Sequence, residues 1–325
     1  MRKKIIAGVI ILISVLVLVL IYFSTLKDKT NIKVGIFLYT NQQVIDEINT
    51  GFKNKLAIYQ KEYGKEITII EKNANGDQMQ MDLISNYFIN GNFDLIFVVG
   101  APAIKILKDK DCKTPVIFGG PPNPVSMGLV PSLKNHNTNF TGTTYFPPTQ
   151  KILEIFLNSF PETKTIAVLR NPAEPNSQAV SKSFIENAEK MNIKIVDLPS
   201  IDGAQIDASL RSLSIKKVDG LFIPTDNLVY SMLEKVISAT NDLKIPVFSC
   251  TKLSVQKGAL FSVGTDYLTV GELSADVASK IIFQNMKPQN IDVLEITTGE
   301  IFLNSKDSLN NKIKEFDNYK IKFIE

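Results

Sequence analysis

Hydrophobic and polar positions fall into two regimes along this chain. From Ile5 to Leu26 no charge interrupts the run, which Arg2, Lys3 and Lys4 precede and Lys27 closes. A helix over that run rises roughly 33 Å, enough to cross a hydrocarbon core of about 30 Å. The basic cluster ahead of it orients the N-terminus inward and the body outward. A cleavable secretory signal calls for a shorter apolar core and small residues at its exit. Here the exit, Ile21 to Leu26, is mostly bulky, and the first cysteine, which lipidation would need beside the run, is Cys112. Residues 1–30 are therefore expected to form an uncleaved signal anchor in the cell membrane with an extracytoplasmic body, cleavage near Ser24 being the alternative.

After Lys29 short apolar runs alternate with amphipathic stretches. Ile32 to Leu38 reads as a strand, Val44 to Tyr63 as a helix, Ile67 to Glu71 as a strand, Met79 to Asn90 as a helix, and Leu95 to Val99 as a strand ending at Gly100. A second series runs through Thr165 to Leu169, a helix from Gln178 to Met191, Lys194 to Leu198, a helix near Ala204 to Ser212, and Gly220 to Ile223. A helix from Leu228 to Thr240 and the strand Pro246 to Ser249 complete it. Apolar strands separated by helices of this length imply βαβ units and parallel sheets. The expected fold class is α/β, two doubly wound parallel-sheet lobes behind the N-terminal helix.

Composition narrows the function. Without residues 1–30 the chain keeps 31 of its 36 Lys and Arg and 32 of its 33 Asp and Glu. A body this close to neutral has no electrostatic footprint for nucleic acid. The two cysteines, Cys112 and Cys250, are far apart, and about 295 residues in two lobes need no disulfide between them. The single histidine, His136, sits in the polar stretch Asn135-His136-Asn137 and reads as an exposed loop residue. A Cys/His metal site or a Ser-His-Asp triad has almost no material here. No glycine-rich phosphate loop follows the first strand, and no element carries two carboxylates at a spacing suited to acid and base. No enzyme, metal or cofactor is expected.

In open α/β sheets a ligand sits off the carboxyl ends of the strands. Those ends are Tyr39 to Gln43, Gly100 to Pro102, Gly119 to Asn123, Asn171 to Ser177, Pro224 to Asn227 and Ser249 to Thr251. They are rich in small, hydroxylated and amide residues, which together with free N–H groups at helix starts suit a compact polar ligand.

At these same segments the chain resembles the extracytoplasmic substrate-binding proteins of ABC importers, in the group that includes aromatic-amino-acid (tryptophan- and tyrosine-type) binders. The resemblance runs from about Lys33 to Asn304. It rests on Asn73-Ala74-Asn75-Gly76-Asp77, Pro124-Val125 with Gly128-Leu129-Val130, Asn139-Phe140-Thr141-Gly142, and Asn171-Pro172-Ala173-Glu174-Pro175-Asn176-Ser177. Pro224-Thr225-Asp226-Asn227, Ile245-Pro246-Val247-Phe248, Lys257-Gly258-Ala259-Leu260 and Gly264-Thr265-Asp266-Tyr267 continue it in order. The resemblance implies a type I periplasmic-binding fold whose lobes close over a small molecule. It places lobe 1 at residues 31–142 plus about 267–325 and lobe 2 at 143–266. The crossings are expected near Thr141 to Tyr145, Val263 to Tyr267 and Ile291 to Leu303, with a helix from Thr269 to Gln284 returning to lobe 1. The implied partners are a small-molecule ligand and an ABC permease in the membrane.

Strand ends and crossings together nominate Tyr39, Gln42, Gly100, Ala101, Asn123, Tyr145, Asn176, Ser177, Thr225, Asp226, Cys250, Thr251 and Asp266 as ligand-binding residues. Four positions depart from the family pattern: Gln42-Gln43 replace a His-Pro pair, Ala101-Pro102 a Thr-Pro, Pro122-Asn123-Pro124 a Thr-Asp-Pro, and Thr251 an acidic residue. A zwitterionic amino acid needs an acceptor for its ammonium as well as donors for its carboxylate. Asp226, Asp266 and Glu174 remain to accept. Asp226 and Asp266 are equally placed to cap helices, as are Asn176 and Ser177. Tyr39, Tyr145 and Tyr267 suit either stacking on a ligand or packing, and Cys250 suits a small buried filler. Two functions share such a cleft, a solute-binding subunit of an importer and a membrane-tethered ligand sensor, and the partner membrane protein distinguishes them.

Overall fold

The computed structural model describes residues 31–297, 299–307, 312–313 and 319–324. The expected signal anchor, residues 1–30, lies outside the described residues. Among the described residues no helix is long and apolar enough to cross a membrane.

The chain first lays down β1 (Asn31–Leu38), α1 (Gln43–Tyr63), β2 (Glu66–Asn73), α2 (Gln78–Asn90), β3 (Leu95–Val99), α3 (Ala101–Asp109), β4 (Val116–Gly119) and β5 (Phe140–Thr144). All five strands are parallel, in the order β5-β4-β3-β1-β2. The Leu-Ile-Phe-Val-Val run of β3 is buried throughout because helices cover both faces of the sheet, whereas β2, at the edge, is half exposed. Leu38 lies level with Asn73 on one side and Val99 on the other, so the segments after three strands emerge side by side.

After a first crossing the chain builds α4 (Thr149–Ser159), β6 (Thr165–Arg170), α5 (Pro175–Lys190), β7 (Lys194–Pro199), α6 (Gly203–Lys216), β8 (Gly220–Ile223), α7 (Asn227–Ser231), α8 (Leu233–Asp242), β9 (Val247–Ser249), α9 (Lys252–Gln256) and β10 (Phe261–Gly264). Phe222, Phe248 and Phe261 stand level on β8, β9 and β10. Phe184 of α5 stacks on Phe222 with ring centroids 3.8 Å apart, and Phe156 of α4 stacks on Phe248 at 4.2 Å. This aromatic row fills the core of the second lobe. The helix expected over Leu228 to Thr240 is two helices, interrupted at Met232 (φ −116°, ψ 15°).

A second crossing leads to α10 (Tyr267–Ile282), which packs against α1 on the first sheet. The two helices approach backbone to backbone: a Cβ on Gly51 would lie 2.1 Å from the Leu268 carbonyl oxygen, and one on Gly271 2.0 Å from that of Ile48. Past a short 3₁₀ turn, β11 (Leu294–Glu295) joins the first sheet beside β5. The chain then crosses a third time, and β12 (Glu300–Asn304) and β13 (Lys320–Ile324) extend the second sheet, β12 antiparallel to β10. Assigning everything past about residue 267 to the first lobe therefore fails for these two strands. β12 joins antiparallel to β10 straight after the crossing, outside the alternation of strand and helix, and β13 pairs parallel with β12.

Both cysteines are free and buried, Cys112 in the first lobe and Cys250 in the second. His136 is not an exposed loop residue. It is buried, its Nε2 2.8 Å from the Ile291 carbonyl oxygen and its Nδ1 accepting from the Thr138 backbone N–H at 3.4 Å.

Candidate functional site

The strand ends of the two lobes face each other across a cavity of about 70 Å³. A single ordered water needs roughly 10–15 Å³ on this measure, so the space admits a compact solute. From the first lobe come Val44, Ile45 and Ile48 on the first turns of α1, Val99 to Ala101, and Gly119 to Pro122. The second lobe supplies Asn176, Thr225, Asp226, Asn227, Tyr230 and Thr251, and the crossings supply Tyr145 and Tyr267. One wall is thus apolar and the other polar, the usual division between a side-chain pocket and the groups that orient a ligand.

Gly100 turns the chain from β3 into α3 with φ +101°, and a Cβ there would lie 2.4 Å from Tyr39 Cβ, so only glycine fits. The lobes touch across the mouth. Gln42 Nε2 donates to the Asn227 carbonyl oxygen, and Gln43 Nε2 donates to Gln256 Oε1 at 3.1 Å.

Two buried carboxylates lie at the polar wall. Asp226 accepts from the Val229 N–H at 2.9 Å, capping α7, and from the Asn171 N–H. Glu174 accepts from the N–H groups of Asn227 at 2.9 Å and Leu228 at 3.1 Å, and from the side-chain amides of Asn227, Asn171 and Asn176. Burial, then the Glu174 charge, push the Asp226 carboxyl up to about 6, against the pull of the nearby Ser177 hydroxyl and the two backbone donors. Tyr39 is pushed up to about 12 by burial and by the charges of Glu174 and Asp226.

Asn176 donates through Nδ2 to the Thr225 carbonyl oxygen at 2.7 Å, which leaves its buried Oδ1 with no partner. The Ser177 hydroxyl is wholly buried beside the Asp226 carboxylate, and α5 begins at Pro175 with no side-chain cap. The lining contains no Lys, Arg or His. An amide oxygen without a donor beside a buried carboxylate, and an uncapped helix start, are the kinds of group that an ammonium and a carboxylate call for. Among the described residues no cluster of His, Cys, Asp and Glu is arranged to hold a metal ion.

Of the residues nominated from sequence, Gln42, Gly100, Ala101, Tyr145, Asn176, Thr225, Asp226 and Thr251 line the cavity. Five do not. Tyr39 packs against Gly100 beside it. Asn123 is exposed with φ +47° and turns its Oδ1 to the Ser126 N–H. Ser177 and Cys250 are wholly buried behind the wall. Asp266 is exposed and spent on the start of α10, accepting from the Leu268 N–H at 3.2 Å and from Thr269 Oγ1 at 2.9 Å. Absent from the nominated set, the strand-end segments and the crossings are Val99, the last residue of β3, and Val44, Ile45, Ile48 and Tyr230. The helical spacing of the last four matches a core stripe, and only their place in the first two turns after a strand end distinguishes them.

The model of the ABC transporter substrate binding protein family matches residues 33–319, and the chain belongs to that family, whose members bind solutes and are not enzymes. It is 28% identical over 277 residues to a tyrosine-binding protein of Clostridioides difficile (strain R20291), covering 85% of this chain and 80% of that one. Among solved structures, one from Streptococcus pneumonia, an ABC domain in complex with L-Trp, matches 90% of this chain and 100% of its own at 24% identity with a TM-score of 0.81. The ligand-free, open structure of a substrate binding protein with adhesive properties from Clostridium difficile matches 90% and 98% at 28% identity, with a TM-score of 0.68.

Proposed function

We propose that this protein is the extracytoplasmic solute-binding subunit of an ABC importer, tethered by residues 1–30, and that it captures an amino acid with an aromatic or large apolar side chain by hinge closure. The observation that carries the reading is the polar wall: Asp226 and the unpartnered Asn176 Oδ1 face a cavity without a single basic residue. The ammonium of an amino acid meets those acceptors. Its carboxylate meets the N–H groups that open α5 and the Thr225 hydroxyl, and its side chain lies on Ile45, Ile48 and Tyr267. The names of the tyrosine-binding relative and of the L-Trp complex agree with this ligand class. Closure is supported by the two glutamine bonds across the mouth, and by the better superposition on the L-Trp complex than on the more similar open structure. A ligand drives closure only by binding the closed form better.

Calorimetry of residues 31–325 with L-tyrosine and L-tryptophan, beside the same molecules without the amino group, tests the reading. Removing a carboxylate that pairs a buried ammonium costs about 2–5 kcal/mol, and about 1.4 kcal/mol is one decade in affinity. Asp226→Asn is therefore expected to weaken binding of the amino acids by more than about tenfold, with little effect on the deaminated analogues. Equal binding of amino acids and deaminated analogues by the unmodified protein would remove the ammonium assignment.

A further inference from the structure

The polar wall concentrates negative charge, and no basic side chain lines it. Asn171 bridges the two carboxylates, its backbone N–H on Asp226 and its side-chain amide 3.3 Å from Glu174. Both carboxylates are almost fully buried. Among the described residues, the hydrogen-bond partners of both are neutral amides, backbone N–H groups or a hydroxyl. Arg170, at the end of β6, feels the Asp226 charge, but its guanidinium is committed to Asp197 by two bonds of 2.8 and 2.7 Å. Around Asp226 stand Glu174 and Ser177 from the β6–α5 segment, Tyr39 from the loop after β1, Tyr230 from α7 and Gln42 from the opposite lobe. None of these supplies a positive charge.

We propose that the cleft exchanges a proton for its ligand: in the empty protein Asp226 takes up a proton as the medium acidifies, and the ammonium of a bound amino acid displaces it, so that capture releases a proton and acid promotes release of the solute. The proposal rests on the amino-acid reading above and adds a regulation to it. The sign follows from linkage. Burial and the Glu174 charge raise the Asp226 carboxyl to about 6 in the closed, ligand-free cleft, whereas an ammonium beside it favours the ionised form and lowers it again. Affinity is then constant well above pH 6 and falls below it, approaching about tenfold per pH unit, with about half a proton released per ligand at pH 6. Histidine is the side chain that ordinarily titrates in this window. The chain's one histidine, His136, is bound to the Ile291 carbonyl and does not line the cleft.

The test is calorimetry of the unmodified protein with L-tyrosine and L-tryptophan from pH 5 to 8, repeated in two buffers of different ionisation enthalpy. Both probes keep their ammonium and carboxylate throughout. The expected result is a buffer-dependent enthalpy that reports proton release near pH 6 and vanishes by pH 8, with affinity about tenfold weaker at pH 5 than at pH 8. The deaminated analogues, carrying only a carboxylate, are expected to release no proton and to bind no worse in acid. A His136→Gln variant is expected to keep the same profile. Binding of the amino acids with flat affinity and buffer-independent enthalpy overturns the exchange while leaving the amino-acid reading in place. Failure of both amino acids to bind at any pH overturns the two together.

Discussion

Gln42 occupies the N-cap position of α1 in extended backbone (φ −112°, ψ 145°) and makes no capping bond; its amide spans the mouth of the cleft instead. A hydrogen bond of this kind contributes about 0.5–1.5 kcal/mol net. Gln42→Ala is therefore expected to weaken ligand binding roughly 2- to 10-fold, with most of the change in the dissociation rate, since the bond forms only as the lobes meet. Stopped-flow displacement of bound L-tryptophan checks it, and an unchanged dissociation rate would count against a latch. At this scale the sequence was legible where a residue's place after a strand end also decides its direction. Asp226 and Asp266 look alike in sequence, each a carboxylate just ahead of a helix. Asp226 is enclosed by α5 and the opposite lobe, while Asp266 lies at a crossing whose outer side is open, so the same capping role leaves one in the cleft and the other in solvent. Ile45 and Ile48 were hidden for the opposite reason: an apolar residue that faces a cavity follows the same periodicity as one that faces a core.

Two helices from opposite ends of the first lobe's chain, α1 and α10, meet at Gly51 and Gly271, and that contact holds the wall that carries Ile45 and Ile48. A methyl group at Gly271 would enter the backbone of α1 at Ile48, where no side chain can swing aside. Overpacking of this kind costs about 1–3 kcal/mol, and more where backbone must move. Gly271→Ala is expected to lower the melting temperature in scanning calorimetry and also to weaken ligand binding, because the shift propagates to Ile48. Loss of stability with unchanged affinity would show that the helix pair does not position the pocket. Helices and strands of the βαβ series were readable from periodicity, since central strands buried on both faces form unbroken apolar runs. The break at Met232 and the strand β12 were not: the first follows from a local backbone turn within an apolar stretch, and the second from an antiparallel edge pairing made straight after a crossing.

Across the whole molecule three crossings join the lobes, at residues 145–148, 265–266 and 296–299, and each lobe closes its core on its own side of them. The mature protein is expected to keep its N-terminus, because Ile5 to Leu26 is long enough to span a bilayer and has neither a small-residue exit nor a nearby cysteine. Intact mass of the membrane-extracted protein measures this, and a species beginning near Thr25 would overturn it. The separation of the two cores gives the cysteines a meaning beyond packing. Burial pushes both thiols up, so each is protonated and unreactive while its lobe is closed around it. With one thiol in each core, the rate at which a thiol reagent modifies Cys112 reads the local unfolding of the first lobe, and the rate at Cys250 reads that of the second. The native chain thus carries an internal clock for each half, and a solute that steadies one lobe more than the other will slow the two clocks unequally.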